Sequence, residues 1–231
     1  MPTTVPVRRV KPYSGYNAKT PDKLLLDAGA IFKNFDPSTD TYASAKAAGK
    51  CLGATQKGSE FSAAPSIRRM EIDGVHTRTK GDTLIDGWDV YLKTTLVEIT
   101  TDNLKLALGV GDSAASSDAT GYDEITGRDT ILDSDYVDNI TYIGNILGED
   151  KPIMIQVFNA FHEGGLTITN EDKNNASVEC QFYGYNDPDV YDSVDDPLTP
   201  PFKIFRPTET SASSSSSSGS GGSGTSGNGG N

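Results

Sequence analysis

The chain has 231 residues, a formal net charge of −12 and only two histidines and two cysteines. A body this acidic repels phosphate backbones, which argues against tight DNA or RNA binding by counterion release, though not against a surface past which nucleic acid slides without sticking. No stretch reaches the roughly 20 apolar residues of a transmembrane helix, and the first residues lack the apolar run of a signal peptide, so the expectation is a protein that is cytosolic at synthesis.

Charge is unevenly spread. Residues 1–23 carry Arg8, Arg9, Lys11, Lys19 and Lys23 against Asp22, with several Pro and Tyr, and read as an extended basic arm. At the other end, 17 of the 21 residues in 211–231 are Ser or Gly and none is charged, the composition of a flexible tail that cannot offset its ordering entropy. Between them, 24–210 is long enough for one domain with a real core.

That domain begins with an apolar run at 24–35, read as a strand bulged at Gly29, followed by an Asp36-Pro37-Ser38 turn. Residues 42–48 allow one or two helical turns, limited by Gly49 and Gly53. The runs 67–72 and 75–79 flank Asp73-Gly74, the strongest short signal for a type I′ hairpin, since both central residues need positive φ. Residues 83–99 alternate with period two. Leu84, Trp88, Val90, Leu92 and Leu96 share one face, Ile85, Tyr91 and Val97 the other, and Gly87 marks a bend. Trp88 on the apolar face reads as core.

A helix follows, with Thr100 as N-cap, Asp102 in the first turn and Ile99 with Leu104 as a staple. Leu104, Ala107 and Leu108 form its apolar face, and Gly109 stops it. From 110 to 135 the pattern dissolves into Gly, Ser, Ala and Asp, a long acidic loop. Strands resume at 137–147, 153–161, 166–169 and 177–185, and 200–205 closes the domain. Many strands, one good helix and turn signals between them specify a mainly β fold, a sandwich or half-barrel with one short packed α-helix.

No catalytic set emerges. Gly53 to Ser59 has part of the phosphate-loop spacing, but Ser59 stands where the lysine belongs. Gly111-Asp112-Ser113 lacks the full nucleophile-elbow pattern. His76 and His162 have no second histidine at ligand spacing, and Cys51 and Cys180 no CxxC partner, so the thiols read as reduced and at least one as buried. The acidic run 187–196 lacks the central Gly and terminal Glu of an EF-hand loop. Asn139 and Asn175 begin glycosylation sequons, which carry no weight without a secretory signal. The expectation is a non-enzyme with no cofactor and no metal.

Several ordered stretches carry a family resemblance. They are GATQKGSEFSAAPSIRRMEIDG at 53–74, Thr100-Thr-Asp-Asn-Leu104, GGLTITNEDK at 164–173, Tyr185-Asn-Asp-Pro188 and Pro201-Phe-Lys-Ile204. In this order, across most of 24–205, the text resembles major tail proteins of long-tailed bacteriophages. The resemblance implies six copies in a ring whose strands join into an inner barrel, and rings stacked into the tail tube that conducts DNA. It further implies tape-measure, terminator and baseplate partners, assembly in the host cytoplasm and residence in the virion. Two features depart from it: the acidic insertion after the helix, and a Ser/Gly tail where some relatives carry an immunoglobulin-like domain. A tube of a related injection or type VI secretion apparatus is the nearest alternative, and a monomeric β-sandwich binding carbohydrate or Ca²⁺ is one from another class. For a ring, the expected subunit contacts are Arg8 and Arg9 in the arm and Asp73, Gly74 and Val75 at the hairpin tip, with strand edges shared between copies.

Overall fold

A computed structural model describes residues 13–170, 172–173, 175–191 and 199–208. The basic residues Arg8 and Arg9, the Ser/Gly tail, and Asp192, Asp195 and Asp196 of the acidic run lie outside the described residues.

Among the described residues there are ten strands: β1 (Leu25–Lys33), β2 (Thr55–Arg69), β3 (Thr83–Leu96), β4 (Gly111–Ala115), β5 (Asp123–Gly127), β6 (Val137–Ile146), β7 (Ile153–His162), β8 (Ile168–Thr169), β9 (Ser177–Tyr183) and β10 (Phe202–Phe205). Two α-helices interrupt them, α1 (Tyr42–Ala47) and α2 (Thr101–Leu108). Eight strands form one antiparallel sheet in the order β1-β6-β7-β9-β3-β2, with β10 added to β7 and β8 to β9; β4 and β5 pair separately. The fold is mainly β, with few helices.

The sheet folds over at β7. One side of β7 pairs with β6; the other pairs first with β10 (Met154 to Val157) and then, past Asn159, with β9 (Phe161 and His162). Asn159 has φ 44°, and its Nδ2 donates to the carbonyl of Tyr185, pinning the corner where one strand serves two half-sheets. Residues 50–52 bridge β1 next to Phe32, drawing the start of β2 towards the far edge and giving a half-barrel.

Inside lie Ile31, Val90, Leu92, Leu96, Ile140, Val157, Val178 and Phe182, all essentially without solvent exposure. A second, smaller cluster of Phe32, Phe35, Ala45 and Ile143 packs α1 on the outer face of β1 and β6. Successive residues Ile31 and Phe32 serve opposite faces, as the strand period demands.

Gly29 shows how the first strand is shaped. The register with β6 slips between Leu26 and Ala30, Gly29 has φ 68°, and a Cβ there would collide with the Tyr142 ring. α1 starts on a Thr41–Ser44 capping box.

α2 is only eight residues, so its packing and caps must hold it. Its four opening residues each have a task. Thr100 Oγ1 accepts from the Asn103 amide at 3.1 Å, Thr101 Oγ1 donates to Asp123 at 2.9 Å, and Asp102 pairs with Lys33 at 3.1 Å. Asn103, buried, donates its Nδ2 to the carbonyls of both Leu52 and Glu98 at 2.9 Å, tying the helix to the lead-ins of β2 and of itself. Ala107 is fully buried while Leu104 and Leu108 are half-buried, and Gly109 ends the helix at φ 77°. The apolar face is as the spacing indicates; the buried Asn103, one turn before Ala107, is not visible in a hydrophobic pattern.

Replacing Asn103 by Leu leaves two buried carbonyls without their donor, at about 1–3 kcal/mol. Urea denaturation of Asn103→Leu should show a lowered midpoint at unchanged slope, with a loss greater than that of the cap variant Thr100→Ala at about 1 kcal/mol.

Candidate functional site

The distinctive feature is how far β2 and β3 outrun the body. They pair along their whole length, from Thr55↔Leu96 to Arg69↔Thr83, but β9 pairs with β3 only from Tyr91 to Leu96. The distal half, roughly 65–69 with 83–89, is a two-stranded ribbon with no third strand on either side among the described residues.

Directly opposed residues share a face in an antiparallel pair. Phe61/Leu92, Ala63/Val90 and Pro65/Trp88 therefore face inward, and Val90 and Leu92 are core. Between Ser66 and Ile67 the register slips by one residue on β3, leaving Asp86 as the extra residue of a bulge opposite Ser66–Ile67. Arg68 Nε donates to both Asp86 oxygens at 3.1 Å. The bulge inverts parity beyond Gly87. Ile85, which alternation assigns to the polar face, joins Ile67 and Trp88 on the apolar one, and Leu84 goes to the opposite face.

The apolar stripe that builds the core thus continues outward past the last residue that can cover it. Ile67 is 60% exposed, Ile85 58% and Trp88 39%. Trp88 is therefore not core as expected. It rests against Phe202 of β10 at the rim, with ring centroids 5.8 Å apart, because the body ends there.

Asp73-Gly74 does not close the hairpin. The strand expected at 75–79 is absent, and β2 and β3 are joined by a thirteen-residue loop, 70–82, in which Asp73 and Gly74 form a local turn (Val75 N–H to Ile72 C=O, 3.1 Å; Gly74 φ 83°). What closes the ribbon is Asp82. Its Oδ2 accepts from the Thr79 amide at 3.0 Å and from Arg69 Nε at 3.2 Å, its carbonyl accepts from the Met70 amide at 2.8 Å, and Arg69 Nη2 reaches the Thr77 carbonyl at 2.8 Å. Asp82 is buried, and the Thr79 amide and then Arg69 hold its carboxyl below the usual range. The expected contact residues Asp73, Gly74 and Val75 all sit on the exposed loop, with Met70 and Ile72 also uncovered.

The acidic stretch 110–135 is not the irregular loop its composition suggests. β4 and β5 form a hairpin, and a 3₁₀ turn, Asp133–Asp135, follows. Arg128 fastens the two, facing Asp112 at 3.0 Å and bonding Asp135.

The residues considered for chemistry fall in several places, although Lys57 and His162 line one open, polar cavity with Lys93, Glu179 and Gln181. Nδ1 of His162 meets the Gln181 backbone and Nε2 the Gly165 carbonyl, inside the protein; His76 is an exposed loop residue. Gly53 and Gly58 are positive-φ positions flanking the start of β2, Lys57 shares the bulge there, and Glu98 Oε1 accepts from the Ala54 amide at 2.7 Å, where a phosphate cradle would need free amides. Ser113 lies in β4. Cys180 is buried, which pushes its thiol up to about 12, and Cys51 is half-buried. Among the described residues no three His, Cys, Asp or Glu side chains come together to hold a metal ion. No protein-family model matches the chain, and no curated protein matches it.

The Asp82 clamp predicts a pH response. A carboxylate with a depressed native pKa stabilises above its ordinary pKa, here 3.8, and loses that contribution as pH falls through the lower native value. The protection of the Thr79 amide, relative to its intrinsic exchange rate at each pH, should hold down to about pH 4 and fall below it. At neutral pH, Asp82→Ala should open 70–82 to limited proteolysis while the thermal midpoint of the body moves little.

Proposed function

We propose that this chain is a structural virion protein that assembles into stacked hexameric rings forming the tail tube of a long-tailed bacteriophage. The tube is an acidic-lined conduit through which DNA passes without specific binding. Assembly takes place in the host cytoplasm, alongside tape-measure, terminator and baseplate-type proteins, and the product resides in the virion tail.

The observation that carries this reading is the projecting β2–β3 ribbon with its uncovered apolar stripe. A two-stranded hairpin is marginal in water unless another surface covers it, and contiguous exposed apolar side chains mark an interaction surface. Beyond Asp89, β3 offers a free edge. A second copy of the same chain can supply both the cover and the strand, and repetition of one such contact generates rings or tubes. The ordered stretches that resemble phage tail proteins include the first strand of this ribbon, β2, and the overall acidity suits a bore past which phosphates must slide.

Purified protein at rising concentration should show rings or tubes of uniform bore by negative-stain microscopy. Ile67→Asp with Ile85→Asp removes two interfacial side chains worth about 1.5 kcal/mol or more each, so assembly should weaken on the order of 100-fold while circular dichroism and thermal midpoint stay near wild type. Gly74→Val, strained at φ 83°, should likewise impair assembly more than folding. Monodisperse monomers of the wild type at every concentration would overturn the reading.

A further inference from the structure

The stretch 110–135, which holds β4, β5 and the turn after them, contains seven carboxylates and one arginine. That cation, Arg128, is consumed by Asp112 and Asp135. Asp118, Asp123, Glu124, Asp129 and Asp133 remain exposed with no ion pair among the described residues, interleaved with exposed Tyr122, Ile131 and Leu132. Counting Lys105 of α2, which shares a cavity with Asp135 at its base, the formal charge is still −5. The framework is fixed: Thr101 donates to Asp123, and Arg128 staples the two halves. A segment that docks here therefore has only its own ordering to offset.

The complement in charge and in apolar content lies at the N-terminus. Residues 1–12, MPTTVPVRRVKP, lie outside the described residues; their sequence carries Arg8, Arg9 and Lys11 with no carboxylate, interleaved with Val5, Val7 and Val10.

Reach favours the hairpin of a second copy. The carbonyls of Asp22 and Leu24 accept from Gly148 and Leu147, just past the end of β6, and residues 17–24 close successive turns there. The acidic hairpin is at the other end, where Asp135 leads into the start of β6 and Thr101 stands beside the Asp102–Lys33 pair. The length of β6 separates the two by about 33 Å. Even laid straight along β6, the eight residues from Asn17 to Arg9 span at most about 29 Å, so an arm would stop at the rim of its own hairpin. A neighbour's hairpin carries no such limit.

We propose that residues 5–11 of one copy dock in extended form along the β4–β5 hairpin of a second copy. Arg8, Arg9 and Lys11 meet the free carboxylates around Asp123 and Glu124, and the valines cover Tyr122, Ile131 and Leu132. The contact is heterologous, so each copy gives one arm and receives one. It rests on the self-assembly reading and adds a second contact to the apolar stripe of the ribbon. Each ion pair at such a surface is weak, and repetition around an assembly makes them count. Opposite charge also speeds encounter, and salt screens it.

Two measurements on the full chain test this. Carbodiimide coupling of a mixture of isotopically light and heavy protein should join Lys11 of one copy to Asp118, Asp123 or Glu124 of another. Arg8→Glu with Arg9→Glu, and separately Asp118→Lys with Glu124→Lys, which spares the Thr101–Asp123 anchor, should each raise the assembly midpoint about tenfold or more in sedimentation velocity. Combining all four should restore it, and salt should weaken wild-type assembly. Lys11 coupled to the carboxylates of 187–196, or only within its own copy, overturns the pairing. So does an unchanged midpoint in either double variant, or a combined variant that fails to recover. Each of these leaves the assembly reading standing if wild-type rings persist, whereas wild type that stays monomeric at every concentration sinks that reading and this contact with it. Unchanged circular dichroism in every variant separates lost contacts from lost folding.

Discussion

The architecture follows from a mismatch of strand lengths. β2 and β3 are 15 and 14 residues long, while β9, which pairs along β3's other edge, covers six of those residues. Where all three run together, alternation works as in any half-buried sheet and Val90, Leu92 and Leu96 become core. Where only two remain, the same alternation places Ile67, Ile85 and Trp88 in water. Burying such side chains is worth about 1.5–3 kcal/mol each, so a chain that leaves them out in the folded monomer forgoes stability comparable to a sizeable part of a domain's net 5–15 kcal/mol. A monomer gains nothing from that arrangement; a chain with something to cover the ribbon does.

Holding the ribbon in one conformation without a third strand takes specific polar bonds. Asp82 closes the loop end, Arg68 with Asp86 fixes the bulge, and Phe202 props Trp88 at the rim. The rest of the body is tied just as locally. The stretch Thr100 to Asn103 caps α2, pairs with β1, joins the β1–β2 connection and anchors the acidic hairpin, so four consecutive residues couple three otherwise separate parts. Because Asn103 is buried and its donors satisfy backbone carbonyls, that coupling is geometrically strict: a half-satisfied network would cost more than an apolar substitute.

Much of the body was legible from apolar runs, alternation and capping signals. Strands at 137–146, 153–162 and 177–183 lie in runs rich in β-branched and aromatic residues, the strand at 25–33 lies in an apolar run bulged at Gly29, and α2 has the cap and stop its signals indicate. The failures have identifiable physical causes. Most of β2, rich in Ser, Ala and Gly with a Pro, has no strong β preference; its pairing with β3 imposes the conformation. Asp73-Gly74 is a genuine local turn signal, yet the loop closes eight residues later because Asp82 reaches back to Arg69 and Met70, a long-range bond that no dipeptide encodes. Ile85 and Leu84 exchange faces through a bulge, and one inserted residue is invisible to a period count. The β4–β5 hairpin forms from Asp, Ser, Ala and Gly because Arg128 and α2 hold it, again a tertiary effect over composition.

An exposed two-stranded ribbon should also be a hazard, since free edges recruit any extended chain. Here the edges are interrupted. Pro65 has no N–H to donate, so continuous pairing along β2 breaks where its distal half begins. On β3 the bulge at Asp86 breaks the register, and the carboxylates of Asp86 and Asp89 lie along the same stretch. An arbitrary strand therefore meets a defective ladder, whereas a surface shaped to the bulge meets Ile67, Ile85 and Trp88 projecting from one face. Discrimination of this kind needs both a reason to bind and a reason not to bind the wrong partner. The ribbon has the first in its side chains and the second in its backbone, which is the combination that repeated, ordered assembly requires and indiscriminate aggregation lacks.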